Sequence, residues 1–142
     1  MTYTYTLTDV ADDTVRKQIA APLVAYNDSN GGPSGNRPLV VALRDAAGEV
    51  TGGLWASTAY GWLAIQLLVV PESARGGGVG TRLMRMAEQE ALARGCHAAW
   101  LDTFEFQARP FYERLGYQCF AELPDYPPGF SRMFMKKTLR PL

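Results

Sequence analysis

The run Leu67-Leu68-Val69-Val70-Pro71-Glu72-Ser73-Ala74-Arg75-Gly76-Gly77-Gly78-Val79-Gly80-Thr81-Arg82-Leu83 joins three kinds of local structure in seventeen residues. An apolar run, a proline, a cluster of glycines and the opening of an amphipathic pattern describe a strand that passes through a loop straight into a helix. That junction aims the unpartnered N–H groups of the first helical turn, and the positive end of the helix dipole, at one spot. Glycine at 76, 77, 78 and 80 lets the main chain take positive φ and lets a bulky diphosphate touch the backbone, because no Cβ intervenes. The loop reads as a site for a phosphate-bearing ligand, with Arg75 as a mobile cation at its mouth.

Three kinds of glycine loop compete for this reading. A nucleoside-triphosphate loop ends in Gly-Lys-Ser/Thr, and here Gly80 is followed by Thr81-Arg82, so that reading fails. A dinucleotide fold needs a third glycine where this chain has Leu83, although Asp102 sits at roughly the spacing of the ribose-binding acid. The pattern that remains is Arg75-x-x-Gly78-x-Gly80 after a strand ending in Val-Pro.

Outward from the loop, residues 79–94 repeat Leu83, Ala87 and Ala91 on one side, which predicts a helix ended by Gly95. Residues 97–104 read as a strand, 109–115 as a short helix with Pro110 in its first turn and Gly116 at its stop, and 117–122 with 131–139 as a last strand pair. Upstream, residues 61–70 are apolar on both faces apart from Gln66 and read as a central strand. Residues 39–43 and 50–56 flank a turn and read as a hairpin. Residues 2–8 alternate at period two, which predicts a further strand. After Asp12-Asp13, the residues Val15, Ile19, Leu23 and Tyr26 recur at helical spacing with Pro22 as a kink, and 27–36 read as a loop. Strands before and after a βαβ unit predict an α/β fold with a mixed sheet of six to seven strands and helices on both faces.

The 142 residues match the size of one domain, 1–142, and 47% apolar residues can furnish its core. Fourteen basic and fourteen acidic side chains cancel, so no long-range field draws in nucleic acid or an anionic membrane. No apolar run approaches a bilayer span and no export signature opens the chain, which predicts a soluble, cytoplasmic protein. Cys96, Cys119 and the lone histidine, His97, are too few and too poorly spaced for a metal site, so no metal is expected; they read as core or structural side chains.

Arg75-Gly76-Gly77-Gly78-Val79-Gly80 resembles the coenzyme A pyrophosphate loop of the GNAT superfamily of N-acetyltransferases, usually Arg/Gln-x-x-Gly-x-Gly/Ala. A second segment, Ala108-Arg109-Pro110-Phe111-Tyr112-Glu113-Arg114-Leu115-Gly116-Tyr117, is similar to that family's later motif, Ala-x-x-hydrophobic-Tyr-x-x-x-Gly-Phe/Tyr. Two motifs in the family's order are far more specific than either alone. The resemblance spans residues 38–139. It implies a largely antiparallel sheet in which the strand ending at Val70 and the one starting near His97 are parallel and splay apart, with the pantetheine arm of acetyl-CoA in the gap. It further implies that Leu68, Val69 and Val70, with Arg75, Gly76, Gly77, Gly78, Val79, Gly80 and Thr81, hold the cosubstrate. The backbone N–H of Leu68 would bind the thioester oxygen.

The chemistry so implied is attack by an amine on a thioester. An alkylammonium, with a pKa near ~10, first loses a proton, and the tetrahedral oxyanion is then stabilised by fixed donors. By the resemblance Tyr112 protonates the departing thiolate. Where some members carry a carboxylate this chain has Gln66, so a water held there or by backbone carbonyls would relay the amine's proton. Glu105 stands where an asparagine is usual and is either the base or a solvated loop charge, with Asp102 and Glu122 as weaker candidates. For the acceptor, Asp28, Asp125 and Tyr126 lie in stretches read as loops, and residues 123–130 are stiffened by three prolines. Small amines, antibiotic amines and peptide or protein amines all stay open, as does a non-catalytic acetyl-CoA sensor. The family's habit of packing across chains also implies a homodimer.

Overall fold

Asp12 starts the first helix, α1 (Asp13–Gly31), by accepting the Val15 N–H at 3.0 Å, and Asp13 adds negative charge at the positive end of the dipole. The helix continues through Pro22 and five residues beyond the predicted boundary; Asn30 Nδ2 donates to the Tyr26 carbonyl at 2.8 Å. It stops at Gly32, whose φ of 82° few other residues adopt. Asp28, read from the sequence as a loop residue, is therefore helical, and the loop begins at Gly32. Residues 2–8 form no strand and are all exposed. Their alternation supplies a face, and only pairing with a neighbour turns such a face into a strand. The computed structural model describes Met1 to Leu142, and residues 1–34 form a unit apart from residues 35–142.

The second unit is a six-stranded sheet. Its first two strands, β1 (Arg37–Arg44) and β2 (Val50–Ala59), make the expected hairpin, turned by Asp45, whose Oδ1 accepts from the N–H groups of Ala47 and Glu49. β2 pairs antiparallel with β3 (Trp62–Val69), which a 3-10 turn (Glu72–Ala74) and the glycine loop join to helix α2 (Val79–Ala93). Then follow β4 (Ala98–Phe104), the short helix α3 (Arg109–Arg114), β5 (Gln118–Leu123) and β6 (Arg132–Thr138). The strand order is β1-β2-β3-β4-β6-β5, and every neighbouring pair is antiparallel except β3 with β4. β3 is central, as its composition predicted, but its C-terminal half is not covered on both faces: Leu67 is 59% and Val69 52% exposed.

The reason lies at Gln66. Opposite it the register steps from Ala56↔Ile65 to Trp55↔Leu67, so Gln66 is the extra residue of a β-bulge. One added residue reverses the side-chain alternation. Leu63 and Ile65 point into the core before the bulge, whereas Leu68 and Val70 are the better covered residues after it.

Helix α2 packs Leu83, Met84, Ala87 and Ala91 into a core that includes Leu63, Leu101 and Met135. Each side chain of that size buried contributes about 1.5–3 kcal/mol. A charged group is buried with them: Glu88, 5% exposed, takes the Tyr117 hydroxyl at 2.8 Å, Lys137 Nζ at 3.0 Å and Arg85 at 2.9 Å. With those three donors its charge is compensated inside the fold. Cys96 is buried, which pushes its thiol pKa up, and His97 is tied into the sheet end through its carbonyl and packs edge-on against Trp62.

Candidate active site

Two strands that part company make the site. β3 and β4 pair from Trp62↔Ala98 only as far as Ile65↔Leu101. Past that rung, where the bulge falls, they separate and leave main-chain groups of the sheet's centre open to a ligand. The opening holds two adjoining cavities. The larger, about 690 Å³, is lined by Leu68 and Val70 of β3, by Arg75, Gly76, Gly78, Val79, Gly80 and Thr81, and by Phe111 and Tyr112 of α3. Its size is that of sites for cofactor-sized molecules. The smaller, about 240 Å³, is lined by Gln66, Leu67, Val69, Asp102 and Thr103. Leu68, Gln107, Ala108 and Tyr112 line both, so Tyr112 stands where the two meet.

The glycine loop has the form its sequence predicts. The first backbone bond of α2 runs from Arg82 N–H to Gly78 O at 3.0 Å, which leaves the N–H groups ahead of it without helical acceptors. Gly76 and Gly78 sit at φ +83° and +78°, and nothing lies within 4 Å of where a Cβ would stand. The loop thus offers open space to an anion rather than to protein. Gly80 differs from expectation: a Cβ there would meet the Phe111 ring at 3.2 Å and Val70 at 3.4 Å. That glycine makes room for α3 against the helix start. Arg75 reaches back, its Nε donating to the Val70 carbonyl at 3.2 Å, and so is tethered at the cavity wall. Gly77 is the one loop glycine outside the cavity lining.

Tyr112 is held by its helix. Pro110 lies in the first turn, the Tyr112 carbonyl accepts from the N–H groups of Leu115 and Tyr117 at 3.0 Å, and the ring packs edge-on against Phe111 and Tyr117. The residue is 8% exposed, yet its hydroxyl is neither bonded to a protein group nor sealed off. Burial, and then the charge of Asp102, raise its pKa above the usual tyrosine value of 10.0, so the phenol keeps its proton at neutral pH.

Of the carboxylates weighed from the sequence, only Asp102 lines either of these two cavities. Glu105 spends Oε1 on the Ser131 N–H at 2.8 Å while its own N–H donates to the Ser131 carbonyl at 3.0 Å, tying two loops together. Glu122 pairs with Arg109 at 3.4 Å, and Asp125 bonds the Gly129 N–H at 3.3 Å within its own turn. Asp102 Oδ1 takes Arg132 Nε at 2.9 Å and its terminal nitrogen at 2.8 Å. Arg132 also donates to the Tyr126 hydroxyl at 2.8 Å. Sequence reading missed Arg132 and Gln107. Gln107 Oε1 accepts the Phe104 N–H at 2.9 Å and the Thr103 hydroxyl at 3.1 Å, which shapes the wall beside Tyr112. Its only sequence signal is an amide in the turn ahead of the tyrosine helix.

The model of the acetyltransferase (GNAT) family matches residues 6–117. A crystal structure of an acetyltransferase from Agrobacterium tumefaciens superposes with a TM-score of 0.91 at 43% identity, covering 96% of this chain and 99% of that one. Blasticidin-S acetyltransferase of Streptomyces morookaense is 42% identical over 107 residues, covering 72% of this chain and 79% of its own. The fold alone is shared with an aminoglycoside 6′-N-acetyltransferase crystallised with coenzyme A, at a TM-score of 0.65 and 22% identity over 96% of this chain and 97% of that one. With a family match across both motifs, and the parted strands, glycine loop and tyrosine helix in the matching order, the chain belongs to the GNAT family of acetyltransferases.

Proposed function

We propose that this protein transfers the acetyl group of acetyl-CoA to a primary amine of a small molecule, with Tyr112 as the acid that protonates the departing thiolate. The observation that carries this reading is the place of Tyr112, its unbonded hydroxyl at the junction of a cofactor-sized cavity and a smaller one. The N–H groups of residues 76–81 and the positive end of α2 suit the cosubstrate's diphosphate, with Arg75 adding charge. Leu68 lines both cavities two residues past the bulge, so its N–H suits the oxyanion of the tetrahedral intermediate.

The order of bonds is short. A neutral amine attacks the thioester carbon, the carbonyl electron pair moves onto oxygen, and its return breaks the carbon–sulfur bond. Sulfur then takes the phenol proton of Tyr112, and solvent reprotonates the phenolate. The amine's own proton leaves through a water held at the amide of Gln66, which is exposed in the smaller cavity. Glu105, bonded to Ser131 and outside both cavities, has no part in this sequence of steps.

A small antibiotic amine is favoured as acceptor because the blasticidin-S enzyme is 42% identical over 107 residues, 72% of this chain. The test is thiol release from acetyl-CoA with blasticidin-S, an aminoglycoside, a polyamine and a peptide with a free N-terminus. Release with one of the first three supports the proposal. Release with the peptide alone moves the acceptor class, and binding of acetyl-CoA with no release on any amine favours a sensor.

A further inference from the structure

The smaller cavity beside Tyr112 has one carboxylate, and its two oxygens are treated differently. Both Arg132 nitrogens that reach Asp102 go to Oδ1, while Oδ2 takes no donor from the chain. The Asp102 side chain is 30% exposed and lines the smaller cavity, so the carboxylate is not sealed off from a ligand. An ionised carboxylate offers about four acceptor positions, and here roughly half are in use.

Arg132 is not free to leave. Its guanidinium lies 4.9 Å from the Tyr126 ring centroid, 5.5 Å from Phe134 and 5.8 Å from Phe104, and its remaining arm donates to the Tyr126 hydroxyl at 2.8 Å. A planar cation held by three rings and a hydroxyl fixes the carboxylate it grips. Asp102 is close enough to Tyr112 for its charge to bear on the phenol. The other polar side chains of this cavity, Gln66, Thr103, Gln107 and Tyr112, are uncharged at neutral pH. An acceptor that arrives protonated therefore meets, beside Tyr112, a carboxylate whose Arg132 partner lies on its other oxygen.

We propose that Asp102 anchors the ammonium group of the acceptor through its free oxygen, and that Arg132 is the positioning residue that aims it. This rests on the acetyl-transfer reading above and narrows it. The acceptor class is an alkylamine bound as its cation; weakly basic aryl or heteroaryl amines and hydroxyl compounds are disfavoured. Binding at Asp102 precedes loss of the amine's proton to water, so the residue acts on acceptor affinity rather than on the chemical step.

The test is steady-state acetyl transfer to whichever amine of the panel releases thiol with the native enzyme, compared with Asp102→Asn, Arg132→Gln and Arg132→Lys. Asp102→Asn is expected to raise the acceptor KM about 10–100-fold, the loss of one charge-assisted contact. Its kcat is expected to fall by less than about fivefold, and the acetyl-CoA KM to change by less than about twofold. Arg132→Gln raises the acceptor KM by less, and Arg132→Lys recovers part of it. The non-reacting trimethylammonium derivative of the same amine competes with the acceptor on the native enzyme and loses that competition with Asp102→Asn. If Asp102→Asn does not fold, Asp102→Glu and Arg132→Gln carry the same comparison, with acetyl-CoA binding as the control for an intact site. An unchanged acceptor KM, or a fall in kcat alone, overturns the anchor while acetyl transfer by the native enzyme stands. No thiol release by the native enzyme with any amine overturns the acetyl-transfer reading, and this inference with it.

Discussion

Replacing Tyr112 with phenylalanine removes one oxygen and leaves the rest of the site as it was. The ring keeps its edge-on contacts to Phe111 and Tyr117, and no protein hydrogen bond is lost because the hydroxyl makes none. The change in stability is therefore expected within about 0.5 kcal/mol, and the acetyl-CoA KM within about twofold. The rate is another matter. Burial and the Asp102 charge keep the phenol protonated at neutral pH, so the native enzyme always holds its acid ready. Loss of a positioned general acid costs about 10²–10⁴ in rate, or roughly 3–5 kcal/mol of barrier. The assay is thiol release with saturating amine, alongside urea unfolding of both proteins. An acetyl thioester of a more acidic thiol needs less help in leaving, and is expected to narrow the gap between the two enzymes. A kcat within threefold of native, in a folded variant that binds acetyl-CoA, refutes the role.

Further outcomes follow from other parts of the fold. Gly78→Ala forces a φ of +78° on a residue with a side chain at about 1–2 kcal/mol, whereas Gly77→Ala, whose φ is not positive, is expected to change stability by under about 0.5 kcal/mol; thermal unfolding compares them. Lys137→Met leaves Glu88 buried with only Tyr117 and the half-exposed Arg85, and is expected to cost about 2–4 kcal/mol in urea unfolding, with much of the loss recovered by adding Glu88→Gln. Tyr112 and Tyr117 both bind their protons more tightly folded than unfolded, Tyr112 through burial and Asp102, Tyr117 through burial and Glu88. Their contribution is present below the unfolded tyrosine value near 10, so stability falls as pH rises past it, and Tyr117→Phe flattens that fall in urea titrations between pH 9 and 11.

What the sequence disclosed is what short segments determine by themselves. The glycine loop and the tyrosine helix are each one contiguous run, and their geometry follows from local rules about positive φ, helix starts and helix stops. The βαβ unit around them was legible for the same reason. The bulge at Gln66 was not, because a run of apolar residues carries no alternation for an extra residue to break. Nor was the Asp102–Arg132 pair, whose members lie thirty positions apart and meet only because β6 pairs with β4. Glu105 carries charge in a loop and so invited a catalytic role; its partner, the Ser131 N–H, lies on a segment that no local rule ties to it. At the N-terminal end, Asn27, Asp28, Ser29 and Asn30 have the composition of a loop, yet the helix runs on through them. The alternating run 2–8 shows the converse, a strand-like pattern without a ladder.

In the proposed mechanism, backbone N–H groups of residues 76–81 hold the cosubstrate's diphosphate and so lay its sulfur beside Tyr112. A crystal structure of the protein with coenzyme A shows whether they do. The diphosphate is expected within hydrogen-bond reach of those groups and the thiol within reach of the Tyr112 hydroxyl, between the parted ends of β3 and β4. Coenzyme A bound elsewhere, with the glycine loop facing solvent alone, contradicts it.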